Sequence, residues 1–421
     1  MTGDHKGHCC CVVDNGLFVE VAVKLAESFG KVYYSSPDIS AFVRSNEIGI
    51  GEGFPGVTRI LEDEIFRYVD DVDLFVFPDV YRPWLQLDLV ARGKRVWGSR
   101  RGEDIEQDRP SAKQFFQKLG LSVGKYDVVT GVTALRKYLK QHPSTYVKIS
   151  YTRGDMETRY AETYDLIEPW VDSLQHTLGL YKEQKQFVCE AAIQDAVEIG
   201  YDGYSVDGQF PNSACVGIEV KSRAYIGHFI SRGTMPPQLN RINESCAPAL
   251  EAFQYRNFFA VESRFTKDGT AWIVDPCCRQ GSPPSEMLLE MYSNLDDIFW
   301  EGAEGRCIDP VPAGKCGAEL ILYSDWAEQE WQTIQFPAKI RNQVKLRNCC
   351  MVNGRYYVIP QVGKQTQIGA VVGIGDTLDA ARKSCIEAAD QIKGDKLDKS
   401  TVALQEAEEQ IARLKEFGIT L

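Results

Sequence analysis

Phe258-Phe-Ala-Val-Glu262-Ser-Arg-Phe-Thr-Lys-Asp-Gly-Thr-Ala-Trp-Ile-Val-Asp275-Pro-Cys-Cys-Arg279-Gln-Gly281 is the stretch on which the fold turns. Residues 258–265 and 271–274 are strand-like runs, and Lys267-Asp268-Gly269 between them carries an Asp-Gly pair. That pair is a strong turn signal, so the segment is predicted to be a tight β-hairpin. Glu262 and Asp275 then stand on its two arms, where both carboxylates can face one point. Hard oxygen ligands across such a ribbon suit Mg2+, which takes a few carboxylates and completes its shell with substrate phosphates. Arg279, on the loop after Asp275, can meet a phosphate in bidentate fashion. Taken alone, the segment also fits a surface hairpin with incidental charges, since exposed acidic residues are common.

Upstream of the hairpin, short apolar runs alternate with helical spacing. Residues 9–13, 31–34, 72–77 and 95–97 are strand-like. Leu17, Val21, Leu25 and Phe29 recur every fourth residue, which predicts a helix capped by Gly30. Another helix is expected over 84–91, so the beginning of the chain implies a small parallel sheet covered by helices. From Ser111 the texture becomes mixed α+β. Helices are expected over 112–119 and 133–140, and strands over 126–129, 146–150, 187–192, 204–206 and 214–220. The last hundred residues give strands at 319–323, 356–359 and 368–374 and a helix over 378–392. A charged linker at 394–399 then leads to a terminal helix marked by Leu404, Ala407, Ile411 and Leu414. That stripe is expected to dock on its own domain.

Composition narrows the function classes. The 421 residues exceed one ordinary core and imply two to four packed units. A formal charge of -12 argues against general nucleic-acid binding, which needs clustered Lys and Arg. No apolar run is long enough to span a membrane, so no membrane association is expected. The 13 scattered cysteines are read as reduced thiols in a cytoplasmic protein. The cluster His5, His8, Cys9, Cys10, Cys11 is a weak metal motif, because consecutive strand residues point to opposite faces.

Several ordered motifs resemble the ATP-grasp superfamily. Asp275, Cys277 and Arg279 occupy its Glu-x-Asn-x-Arg places, and Glu262 its earlier acidic place. Tyr146-Val-Lys148-Ile resembles the strand lysine that meets ATP phosphate, and Ser111-Ala-Lys113 the earlier lysine. Phe187-Val-Cys-Glu190-Ala-Ala192-Ile193 is similar to the hinge strand whose backbone reads adenine, with Glu198 at the ribose-binding carboxylate. The order of strand 72–77, Gly93-Lys-Arg-Val-Trp-Gly98 and Lys113 is similar to the glycinamide ribonucleotide synthetase family within that superfamily. So is Gly369-Ala-Val-Val-Gly-Ile-Gly-Asp376, and together the likeness spans roughly residues 9–393. Gln280-Gly-Ser282-Pro-Pro-Ser-Glu286 stands at that family's substrate turn, making Ser282 an expected contact. Arg223, Arg232 and Arg241 fall in the segment that faces the acceptor in these enzymes, and a solvated surface is their other reading.

The chain departs from the pattern at Cys277, since a thiol is a poor partner for Mg2+. The glycine-rich phosphate loop is replaced by Arg153-Gly-Asp155-Met-Glu157-Thr158. There Arg153 and the Thr158 hydroxyl can donate to phosphate. The resemblance implies an N-terminal parallel-sheet domain (1–105), a central ATP-grasp fold (106–303), a small C-terminal α+β domain (304–395) and a terminal helix (396–421). It also implies ATP and Mg2+ as cofactors, and small-molecule carboxylate and amine substrates joined through an acyl phosphate. Lys148 and Arg279 would then be catalytic, and a non-catalytic nucleotide-binding relative is the alternative. Nothing in the sequence fixes an oligomeric state.

Overall fold

The computed structural model describes residues 4–37, 48–151, 158–360 and 366–421. The first sheet has five parallel strands in the order Val57–Leu61, Lys31–Ser36, Cys9–Val13, Leu74–Val76, Arg95–Trp97. Its strands are apolar on both faces, as a parallel sheet covered on both sides requires. Cys10, Val12 and Tyr34 enter one core cluster, and Cys11, Val13 and Tyr33 the other. Adjacent cysteines therefore face opposite ways, while His5 bonds Asp297 at 3.1 Å and stacks on Phe29.

The first helix is shorter than its spacing predicts, running only Val19–Leu25 and ending on Ala26. Gly30 is not its cap. A Cβ there would lie 2.0 Å from the Lys6 carbonyl oxygen, so glycine permits the N-terminal segment to pass close by.

A four-stranded antiparallel sheet follows, ordered Tyr126–Thr130, Gln186–Ala191, Thr145–Ile149, Thr158–Ala161. Helices Val132–Gln141 and Tyr164–Leu178 bury Leu135, Leu139, Ile167 and Val171 against it. The second of these helices and Pro237–Ala252 carry internal prolines, Pro169 and Pro248, which disguise helical character in sequence.

The largest sheet has ten strands. Its centre runs Ala224–Ser231, Ser213–Val220, Ala196–Val206, Arg256–Thr266, Ala271–Cys277. The predicted hairpin is present, with Gly269 at φ +83° and the Asp268 carboxylate accepting from Thr266 Oγ1 and Thr270 N. Cys316–Ser324, Gln367–Gly375 and Val344–Leu346 extend the same sheet beyond Ala224–Ser231.

The predicted linker contains a short strand, Leu397–Asp398, paired with Tyr323 and Ser324. Helix Val402–Leu414 then packs on Ser213–Val220 and Ala224–Ser231, burying Leu404, Ala407 and Leu414. No helix among the described residues is long and apolar enough to cross a membrane. All thirteen cysteines are free thiols.

Candidate active site

Strand alternation builds the site. Along Ala196–Val206, Val197, Ile199 and Tyr201 enter the core below the sheet, while Glu198, Gly200 and Asp202 line a cleft above it. The register stacks these residues in rows across neighbouring strands. Gly200 lies opposite Gly217 on one side and Glu262 on the other, and Glu262 lies opposite Asp275. Two residues along, Asp202 lies opposite Ala260, and Ala260 opposite Cys277. In the other direction Glu198 lies opposite Arg264. The cleft has a volume of about 680 Å³, and its facing wall includes Tyr146, Lys148, Thr158 and Glu190 from the four-stranded sheet.

Three cations converge where the two sheets meet. Lys148, 2% exposed, places Nζ 3.3 Å from Asp275 Oδ2, 3.3 Å from Glu190 Oε1 and 2.8 Å from the Val274 carbonyl. Lys113 Nζ lies 3.0 Å from the same Glu190 oxygen and donates to the Val274 carbonyl at 3.1 Å. Arg109 pairs with Asp275 Oδ1. Burial would raise the Asp275 carboxyl, but Arg109 and Lys148 override it and hold the group well below the usual range. Burial lowers the Lys113 ammonium, with Lys148 adding repulsion.

Beyond them Arg279 pairs with Glu106 at 2.9 Å, and the second oxygen of Glu106 accepts the Cys278 N–H at 2.7 Å. This fork holds Arg279 at the cleft rim beside Ser282. The Ser282–Pro283 and Pro283–Pro284 bonds there are cis.

The floor of the cleft is acidic. Glu262 pairs with Lys221 at 2.8 Å, and Glu198 with Arg264 at 3.2 Å. Arg264 also donates to the Ile193 carbonyl at 3.4 Å. Burial pushes Glu219 up to about 8, eased by Lys221 and reinforced by Glu262. Burial likewise raises Asp202 to about 7, against the favourable Tyr225 hydroxyl.

The structure thus brings Lys113, Lys148, Glu190, Asp275, Glu262, Glu198, Ile193, Thr158, Arg279 and Ser282 around one cleft. Ala192 does not line it, and its N–H donates to Ser144 O at 3.2 Å. Arg153 and the rest of that loop up to Glu157 lie outside the described residues. Arg223, Arg232 and Arg241 are elsewhere: they face Asp398, Glu244 and the Gly120 carbonyl on exposed surface. His228 sits in its strand outside the cleft lining.

Arg109, Glu106, Lys221, Arg264, Asp202 and Glu219 were not singled out by sequence reasoning. The pattern Glu198-x-Gly200-x-Asp202 was a usable signal, since alternate strand residues share a face.

The donor set fits Mg2+ in part. Glu262 and Asp275 offer two hard carboxylates on paired strands, leaving other positions to phosphate and water. Cys277, at the third place, turns its thiol toward the Arg279 carbonyl at 3.6 Å.

No protein-family model matches the chain, and no curated protein matches it. Solved structures do. The phosphoribosylamine–glycine ligase of Thermotoga maritima superposes with TM-score 0.67 at 14% identity, covering 92% of this chain and 98% of that one. A biotin carboxylase from Campylobacter jejuni gives 0.63 at 15% identity, covering 95% of each. The N5-carboxyaminoimidazole ribonucleotide synthetase of Thermus thermophilus gives 0.60 at 14%, covering 91% and 98%. At such identities the likeness is one of fold, and that fold is the ATP-grasp fold.

Proposed function

We propose that this chain uses its ATP-grasp fold as an ATP-dependent carboxylate–amine ligase. The observation that carries the reading is the meeting of Lys148, Lys113 and Arg109 around Asp275, opposite Glu262, in a cleft between two sheets. Such a site offers fixed positive charge to a polyphosphate and two carboxylates to its metal.

In this reading the adenine lies by the hinge at Glu190 to Ile193, and the ribose by Glu198. The phosphates run toward Lys148, Lys113 and Thr158. Mg2+, held by Glu262 and Asp275, would neutralise phosphate charge. Arg279, fixed by Glu106, faces the transferred phosphoryl group, with Ser282 beside the substrate. The γ-phosphoryl group passes to a substrate carboxylate, giving ADP and an acyl phosphate. An amine then displaces phosphate. Positioning and preorganised charge supply most of the rate in such transfers. The Cys277 thiol and the Lys221–Glu262 pair favour a second reading, a nucleotide-binding relative without turnover.

The test measures MgATP affinity and ADP release over a library of carboxylates and amines. Amine-dependent ADP release that is lost in Asp275→Ala supports the ligase. Tight nucleotide binding with no turnover for any pair supports the second reading. No MgATP binding at all sinks both.

A further inference from the structure

One built feature of the cleft has no part in nucleotide binding as described. Tyr225 starts on Ala224–Ser231 opposite Glu219, yet its hydroxyl donates to Asp202 Oδ2 at 2.6 Å, on the strand after next. Two glycines make that crossing possible. A Cβ on Gly217 would lie 2.4 Å from Tyr225 Cζ and Oη, and one on Gly227 2.6 Å from Oη. Both members of the pair line the cleft.

Its place along the sheet is informative. The hinge row holds Glu198 and Arg264, and the next holds Gly200, Glu262 and Asp275. Asp202 stands in the third row with Ala260 and Cys277, about 7 Å past the metal carboxylates on the side away from the hinge. A nucleotide laid from the hinge across the metal row points its terminal phosphate at this third row.

We infer that Asp202, oriented by Tyr225, takes the proton from the incoming amine, so that the acceptor enters this subsite as an ammonium cation. The inference rests on the ligase reading above. The ammonium gives one proton to a carboxylate oxygen of Asp202. The freed lone pair forms the C–N bond as the C–O bond to phosphate breaks. The second surplus proton on nitrogen leaves with phosphate as hydrogenphosphate, and Asp202 returns its proton to solvent.

The groups facing Asp202 are Tyr225, Cys215 on the adjoining strand, Glu262 from the metal row, and Tyr292, whose hydroxyl bonds the Asp202 carbonyl at 3.3 Å. None is a cation. An ammonium is therefore favoured there, and a second anion disfavoured. Held by the Tyr225 hydroxyl and facing the cleft, the Asp202 carboxylate is a fixed acceptor for that proton.

The test uses the full chain and the amine that supports ADP release in the library above. Asp202→Asn is expected to lower kcat/KM for that amine by roughly a hundredfold or more. The Kd for MgATP stays within about a factor of two. Hydroxylamine, largely unprotonated at neutral pH, is expected to restore most of the turnover of Asp202→Asn because it needs no base. Tyr225→Phe removes a donor to the carboxylate and moves the acid limb of the kcat/KM profile to higher pH.

Undiminished kcat/KM in Asp202→Asn overturns the inference. Equal losses with the amine and hydroxylamine, or an unmoved acid limb in Tyr225→Phe, overturn it too. Absence of amine-dependent turnover in the unmutated protein removes the ligase reading and this one together, whereas turnover indifferent to Asp202 removes this one alone.

Discussion

The two sides of the cleft have opposite charge balance. Where the sheets meet, Lys113, Lys148 and Arg109 stand against two carboxylates, Asp275 and Glu190. On the floor, four carboxyl groups, Glu198, Asp202, Glu219 and Glu262, share two cations, Lys221 and Arg264, and burial keeps a proton on Glu219 near neutrality. Each side is short of the charge that a ligand would bring. A polyanion completes the first, and cations (a metal ion and an ammonium) complete the second. The sides also differ in how they are held. Lys148 is fixed by three partners and 2% exposed, whereas the Lys221 side chain is 61% exposed and, among the described residues, forms one ion pair, with Glu262. Preorganisation therefore belongs to the phosphate side.

That difference predicts unequal mutants. Lys148→Met removes a buried cation from Asp275 and Glu190, which keep Arg109 and Lys113, and should cost about 1–3 kcal/mol of stability. Lys221→Met, on exposed surface, should change stability by less than about 1 kcal/mol. Denaturant titration of both variants compares them directly, and equal losses would erase the distinction. Under the proposed function the same Lys148 change also removes charge-assisted contacts to phosphate, worth about 1.5–3 kcal/mol, and should weaken MgATP binding roughly ten- to hundredfold by calorimetry.

On the floor, Glu262→Gln should act only through the metal. Nucleotide affinity in Mg2+ should fall at least the roughly tenfold that loss of even an outer-shell partner costs. Affinity in chelator should not fall. A loss that persists in chelator would assign Glu262 to the nucleotide itself.

The sequence made the phosphate side far more legible than the floor. The Asp-Gly turn fixes the hairpin, so the sequence alone puts Glu262 and Asp275 on facing arms. Lys113 and Lys148 were legible only through the resemblance of Ser111-Ala-Lys113 and Tyr146-Val-Lys148-Ile to the ATP-grasp lysines. Arg109 and Glu106 were not, because their meeting with Asp275 and Arg279 depends on how a helix docks more than 160 residues away in the chain. The floor was written in alternation along Glu198, Gly200 and Asp202, but only cross-strand register shows which row each occupies. Arg223, Arg232 and Arg241 show the converse. They sit in an apt segment, but Arg223 and Arg232 lie in the turns at the two ends of Ala224–Ser231 and Arg241 on helix Pro237–Ala252, where they face exposed surface. In the first sheet, Gly30 carries a steric reason invisible locally, since the atom that would clash belongs to Lys6.

The smallest expected effect is also the one that sets the two sides in opposition, because they should respond to pH with opposite sign. Glu219 is raised from 4.5 to about 8 by burial, so the folded state holds its proton where the unfolded chain has lost it. The folded state then binds more protons than the unfolded between these values, and stability falls as pH rises from about 4.5 to about 8. Asp275 is depressed, so its contribution is present above 3.8 and is lost as pH falls below it. Glu219→Gln mimics the protonated form permanently. It should leave stability at pH 5 nearly unchanged and raise it at pH 8 by about 1 kcal/mol, once the solvent reaching a cleft group is allowed for. For a chain of this size that is no more than about 2–4 °C in Tm. Asp275→Asn should instead lose stability at pH 7 and converge on the unmutated protein in acid. Melting curves across pH 3–9 for both variants decide the point. Parallel curves would mean that the carboxylates of the floor and of the phosphate side feel the same surroundings, and the charge opposition across the cleft would have to be given up.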